Sequence, residues 1–279
     1  MSVTIVTDSA ATLPQDVVSG LGIVVVPIRI IVGDRSYLDG ALSHRELLET
    51  TEPITTSGPS PQDFLQAIEA QGSEDGVVIF TVSHDLGTST FLSAQAAAAA
   101  TDLSVKVVDT ATAAGGQGLV VLAAARAARS GMSLEDVEAH ARRVVDRVRL
   151  IATLPGLDHL ARSGHVPGAA AWAARWIGLH LVIDLRGGRV RPLRPALSAT
   201  SATRHMVEEW RASRPEGPAD LHLAGLHALD ADGASELLRL VREEVRPEEE
   251  FIGSLSTAMI IHSGPGVVGL AWWWDERPE

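Results

Sequence analysis

The chain is predicted to be an α/β protein of two domains, with a mainly parallel sheet in the first and a mixed sheet in the second. Three observations predict it. Short β-branched runs alternate with longer amphipathic stretches through the first half, the pattern of strands and helices around a parallel sheet. The strand-like runs end in residues rich in Ser, Thr, Asp or Gly, as strands do where they turn into ligand-facing loops of an open α/β sheet. Past Arg149 the character changes, and a Gly- and Pro-punctuated segment from Pro155 to Gly168 sets a boundary between domains at 1–154 and 155–279.

In order along the first half, Val3 to Val6, Ile23 to Ile31, Gly76 to Val82 and Val105 to Val108 read as strands. Pro61 to Gln71, Ser89 to Ala100 and Ala113 to Ser130 carry helix-forming residues at helical spacing, the last closed by Gly131. Ser133 to Val145 reads as a further helix opened by a Ser-x-x-Asp cap at Ser133 and Asp136. The cluster Gly115, Gly116 and Gly118 lacks dinucleotide-binding spacing and reads as a tight turn opening a helix. Leu150 to Leu154 begins the change of character as a strand. Beyond it, helices are expected near Ala169 to Trp176, Thr200 to Ala212 and Ala231 to Val245. Strands are expected at Leu181 to Leu185, Val190 to Leu193, Leu221 to Leu226, Phe251 to Leu255, Met259 to His262 and Val267 to Trp273. Alternation sends Trp272, Trp273 and Trp274 to both faces of that last strand, as core packing rather than membrane contact.

Composition narrows the function. With 279 residues, 46% hydrophobic and 21% charged, the chain is that of a folded globular protein. Its formal net charge of −12 repels nucleic-acid phosphate, so DNA and RNA are not expected partners. The Arg-rich stretches Arg142 to Arg149 and Arg186 to Arg194 read as solvated faces. There is no cysteine, which excludes thiol catalysis and thiolate metal sites. Met1 to Ala10 carries Asp8 and no basic residue, unlike a secretory signal, and the longest apolar run, Leu119 to Ala125, is closed by Arg126. A cytoplasmic protein without stable membrane insertion is expected.

Familiar catalytic motifs are missing. The lone lysine, Lys106, lies in an expected strand, and no P-loop is present. The ten histidines include no His-Glu-x-x-His, and neither His159/His165 nor His222/His227 has a standard ligand spacing, so no metal is expected. The Gly-x-Ser-x-Gly elbow of serine hydrolases is absent. Four loops rich in hydroxyl and glycine residues remain: Thr7-Asp8-Ser9, Thr56-Ser57-Gly58-Pro59-Ser60, Thr88-Ser89-Thr90 and His262-Ser263-Gly264-Pro265-Gly266. The second and third each open an expected helix, so hydroxyls and backbone N–H groups there suit an anionic oxygen without any basic residue; ordinary helix capping explains the same residues.

In order and spacing these segments resemble the DegV family of fatty-acid-binding proteins over most of the chain. Val26-Pro27-Ile28 and Tyr37-Leu38-Asp39-Gly40 look like the family's opening strands and turn. Thr56 to Ser60 resembles its Thr-Ser-Gln-Pro-Ser loop with Gly58 in place of Gln. Ser83 to Ala94 resembles its Leu-Ser-Gly-Thr-Tyr segment with one residue more, and Val108-Asp109-Thr110 and Ile261 to Gly266 complete the series. The resemblance implies a long-chain fatty acid held between the two domains, with no cofactor and no chemistry of the protein's own. It nominates Thr56, Ser57, Thr88 and Ser89 for the carboxylate, with His262 near the head group to assist or orient its transfer. It implies as partner a separate ATP-dependent fatty acid kinase, to which the carboxylate is presented for acyl-phosphate formation in phospholipid metabolism. His165 stands where the family has Arg and would replace it when protonated. Two other readings stay open: a serine-dependent hydrolase or transferase using Ser57 or Ser89 with His262 as base, and a binding module for another hydrophobic carboxylate or a small metabolite.

Overall fold

The alternating runs of the first half form the elements β1 (Thr4–Asp8), α1 (Gln15–Leu21), β2 (Val24–Val26), β3 (Arg29–Val32), β4 (Arg35–Leu38), α2 (His44–Glu49), β5 (Ile54–Ser57), α3 (Pro61–Gln71), β6 (Val77–Thr81), α4 (Thr88–Ala99), β7 (Val105–Asp109), α5 (Ala114–Arg129) and α6 (Leu134–Arg147). The structure, a computed structural model, describes residues 3–71, 75–154, 156, 159 and 178–276. Strands pair in the order β2-β1-β6-β7, every pair parallel. In β6, Val77 and Ile79 face α3 and α4 across Phe64, Ile68 and Ala94, whereas Val78 and Phe80 face α5 and α6. Burial on both faces is why such a strand reads as a continuous apolar run.

The segment expected as one strand from Ile23 to Ile31 is divided. β2 stays in the parallel sheet; Pro27, which lacks an N–H and has a fixed φ, ends it, and β3 pairs antiparallel with β4 and β5 in a separate three-stranded sheet. Residue pattern alone marks neither β4 nor β5 as a strand. Both are short and half-exposed, with polar residues at most positions, so they lack an apolar run to mark them.

The second sheet comprises β8 (Arg149–Leu154), β9 (Leu181–Arg186), β10 (Arg189–Pro192), β11 (Ala219–His227), β12 (Glu249–Ser254) and β13 (Val268–Glu276), in the order β10-β9-β8-β13-β11-β12. It is mixed: only β11 and β12 run parallel. Arg149 to Leu154, placed by the sequence at the end of the first domain, hydrogen-bonds with β13 and β9 and thus belongs to this sheet. The helices α7 (Ala199–Ala212) and α8 (Ala231–Arg242) cover one face, burying Ile151, Val182, Met206, Trp210 and Leu238. A final short helix, α9 (Thr257–Ser263), replaces the strand expected at Met259 to His262; Ser256 caps it, accepting a hydrogen bond from the Met259 N–H at 3.4 Å. A β-branched, apolar stretch of this length carries no periodicity that separates strand from helix, and the cap decides. The helix expected at Ala169 to Trp176 lies outside the described residues.

The three tryptophans alternate as expected. Trp272 and Trp274 turn toward α7, and both indole N–H groups donate to the Ser213 hydroxyl, at 2.7 and 3.3 Å. Trp273 faces the other way and stacks on His222 at 4.2 Å. Among the described residues no helix is long and apolar enough to cross a membrane.

Helix α5 lies between the two sheets, touching β1 and β6 on one side and β11, β13 and β8 on the other. That position explains its Ala- and Gly-rich composition. Gly115, Gly116 and Gly118 do not form the expected turn, which is made by Ala111 and Ala114 at φ 51° and 49°. The glycines instead permit close approach: a Cβ on Gly118 would lie 2.7 Å from the Ala11 carbonyl oxygen, and one on Gly115 would lie 2.5 Å from Leu226 Cδ2. Helix propensity alone predicts that Gly118→Ala stabilises by about 1 kcal/mol. Contact with a fixed backbone oxygen reverses the sign, and we expect a loss of roughly 1–3 kcal/mol in urea unfolding.

Candidate functional site

The second sheet turns its other face toward the carboxyl ends of the parallel strands, and the two sides touch in places, as where the Gly188 N–H donates to the Ala111 carbonyl at 2.6 Å, but not throughout. A cavity of about 200 Å³ lies between them. A water counted in the same way needs roughly 10–15 Å³, so the space holds on the order of fifteen water-sized groups, about the size of a long acyl chain. Strand alternation supplies one wall: Leu150, Ala152 and Leu154 of β8 with Ile183 and Leu185 of β9. Ala10, Val82, Leu86 and Ala113, from the segments that follow β1, β6 and β7, and Ala114, the first residue of α5, supply the facing wall.

The polar lining groups are Thr56, Ser89, Thr90, His262 and Ser263, and no Lys or Arg is present among the described lining residues. Thr56 is the penultimate residue of β5 in the three-stranded sheet, Ser89 and Thr90 lie in the first turn of α4, and His262 and Ser263 close α9. The imidazole Nε2 of His262 and the Thr56 hydroxyl share a hydrogen bond of 2.7 Å across 206 residues of sequence. Helix α4 has no side-chain cap at its N-terminus, where Gly87 is the capping residue. Gly58 lies directly against this turn: a Cβ there would be 2.4 Å from Thr90 Oγ1 and 3.0 Å from Ser89 Oγ. Hydroxyls, an imidazole and the open N-terminal end of a helix thus gather around an apolar cavity, a combination that accepts an anionic oxygen attached to an apolar body.

Of the residues nominated from the sequence, the structure brings Thr56, Ser89 and His262 to the cavity and leaves two outside it. Ser57 is exposed, its hydroxyl donating to the Gly58 carbonyl at 3.3 Å, because strand alternation turns it away from Thr56. Thr88 is also exposed and donates back to the His84 carbonyl at 2.9 Å. Neither is among the lining residues, whereas Ser89 and Thr90, which follow Thr88, are. His165 lies outside the described residues. Thr90, 2% exposed, and Ser263 line the cavity without having been nominated. Thr90 follows Ser89 in the same hydroxyl run, and only the helical turn decides which members face inward.

Behind the facing wall lies Asp8, fully buried at the end of β1. It accepts hydrogen bonds from the N–H groups of Val82 at 2.8 Å and Ala10 at 2.9 Å and from the Gln117 side chain at 3.1 Å. Burial pushes its pKa from 3.8 up to about 6; the hydrogen bonds oppose the rise and nearby Asp39 adds to it.

Fold and cavity define an α/β protein of two facing sheets that enclose an apolar site with polar groups from three chain segments. The chain belongs to the DegV family, whose model, described as an uncharacterised protein of the DegV family, matches residues 2–274. A DegV domain-containing protein of Streptomyces coelicolor is 31% identical over 275 residues, spanning 96% of this chain and 97% of its own length. A structure from Thermus thermophilus, described as fatty acid binding of a DegV family protein, is similar at a TM-score of 0.90 and 31% identity, with 98% of this chain and 99% of that one covered. A DegV lipid-binding protein of Thermotoga maritima is similar at a TM-score of 0.89 and 26% identity over 100% of both chains.

The raised pKa of Asp8 gives a signed prediction. Between the unfolded value near 3.8 and the folded value of about 6 the folded state holds the extra proton, so stability falls as pH rises through that window. The full effect is on the order of 3 kcal/mol. Urea unfolding of the wild type and Asp8→Asn at pH 4 and pH 7 is expected to show the stability difference move in the variant's favour by about that amount on going to pH 7.

Proposed function

We propose that this protein holds one long-chain fatty acid in the cavity between its sheets, with the carboxylate at the end formed by Thr56, Ser89, Thr90 and His262. The observation that carries this reading is the composition of the cavity: apolar walls from the second sheet and from the segments that follow the parallel strands, with hydrogen-bonding groups from Thr56, Ser89 and His262 and no Lys or Arg among the described lining residues. The names of the relatives from Thermus thermophilus and Thermotoga maritima, which describe fatty-acid or lipid binding, support it.

Magnitudes assign different tasks to the two ends of such a ligand. Each buried methylene contributes roughly 0.8 kcal/mol, so a tail of about fifteen contributes on the order of 10 kcal/mol before ordering costs. The head group contributes orientation: a desolvated carboxylate without partners is strongly unfavourable, and hydroxyl donors with a helix N-terminus satisfy it. In this reading the protein forms and breaks no bond. It presents the carboxylate to a separate ATP-dependent kinase in the cytoplasm, and the resulting acyl phosphate enters phospholipid synthesis. The two parts of the chain, each with its own sheet, act as the two walls of one site.

Native mass spectrometry of the purified protein, followed by organic extraction, is expected to release one fatty acid per chain. An empty protein that also takes up no added fatty acid overturns the reading. Thr56→Ala and Ser89→Ala are expected to retain the lipid, because the tail supplies most of the affinity, yet to lower phosphorylation of the bound acid by a fatty acid kinase about tenfold or more, the equivalent of roughly 1.4 kcal/mol for one lost hydrogen bond to a charged group. Unchanged phosphorylation in both variants counts against the presentation step.

A further inference from the structure

We propose that Asp39 is a positioning residue for the head-group end of the cavity: it anchors the first turn of α9 and thereby sets His262 against Thr56. The inference rests on the reading of that end as a carboxylate site. Helix α9 has seven residues, from Thr257 to Ser263, too few to be stable by themselves, so its placement depends on what it touches. Its own cap is long, 3.4 Å from Ser256 Oγ to the Met259 N–H. The Ala258 N–H, one of the donors that a helix start leaves without an intrahelical partner, goes instead to Asp39 Oδ1 at 3.0 Å, across 219 residues of sequence.

Asp39 is itself held at fixed points of the first half. Its other oxygen accepts from the Ser9 hydroxyl at 2.6 Å; that hydroxyl accepts from the Ile28 N–H at 3.0 Å, and the Asp39 N–H donates to the Ile28 carbonyl at 2.8 Å. Ser9 directly follows β1, so the chain of contacts runs from the parallel sheet to α9. The other end of α9 returns to the same half through the 2.7 Å contact of His262 with Thr56. Ala258 and His262 are four residues apart, one turn of helix and about 6 Å along its axis, on the same side. Release of the first turn therefore moves the imidazole, and with it the groups that meet the carboxylate. Met259, between the two, lines the cavity and moves with them.

The test uses the full-length protein loaded with oleate carrying ¹³C at the carboxyl carbon. The bound carboxyl resonance is recorded for the wild type, Thr56→Ala, Asp39→Ala and Asp39→Asn, with thermal unfolding and lipid stoichiometry measured on each. Thr56→Ala is expected to displace the resonance, and Asp39→Ala, which does not touch the ligand, to displace it comparably while the protein stays loaded. Asp39→Asn keeps an acceptor for the Ala258 N–H and is expected to restore most of the wild-type position, which a general loss of stability does not do. Ser9→Ala frees one side of Asp39 without touching α9 and is expected to give a smaller displacement in the same direction; it decides the matter if Asp39→Ala does not fold. A folded, loaded Asp39→Ala protein with the wild-type resonance overturns the positioning role, as does an unshifted Ser9→Ala protein where Asp39→Ala is unfolded. An unshifted Thr56→Ala protein overturns the head-group site itself.

Discussion

An apolar void between two sheets is the constraint on which the rest of this structure depends. Interiors pack densely, and apolar walls that stand apart around a space of about 200 Å³ carry the cost of unmade contacts and wetted apolar surface. That cost is offset when an apolar ligand fills the space. The surroundings of the cavity are correspondingly well packed: α5 is buried nearly throughout between the two sheets, and the far face of the second sheet is sealed by α7, α8 and the stacked pair Trp210 and Trp274.

Around that gap the polar groups come from three separate segments that meet only in the folded chain. A parallel sheet brings its loop-to-helix junctions to one edge, which supplies Ser89 and Thr90; the inserted three-stranded sheet carries Thr56; and α9 brings His262 from near the end of the chain. The resulting set joins hydroxyls to one imidazole, with no Lys or Arg among the described lining residues. A site of this kind is suited to an anion held by hydrogen bonds and a helix N-terminus rather than by a Lys or Arg. The contacts of α9 at Asp39 and Thr56 tie the two halves of the chain together at the same place, so ligand binding and the relation of the halves share one set of interactions.

Local sequence determined most of the elements because their causes are local. Period and burial marked the parallel strands, the Ser133 cap opened α6 as read, and alternation placed the tryptophans on opposite faces. Thr56, Ser89 and His262, which the structure brings to the cavity, were legible as candidates because their hydroxyl- and glycine-rich loops follow strands or open helices in the order of a known family. The tertiary structure decided what depends on partners remote in sequence. It divided the run around Pro27 between two sheets, moved β8 into the second sheet, and made a capped helix of Met259 to His262. It also turned Ser57 and Thr88 outward and Thr90 inward, since neighbouring residues of one composition differ only in direction. The cavity itself is the clearest case: the residues of its walls read in sequence as ordinary core positions, and whether two apolar faces close on each other or stand apart is set by the spacing of the sheets, which no single segment encodes.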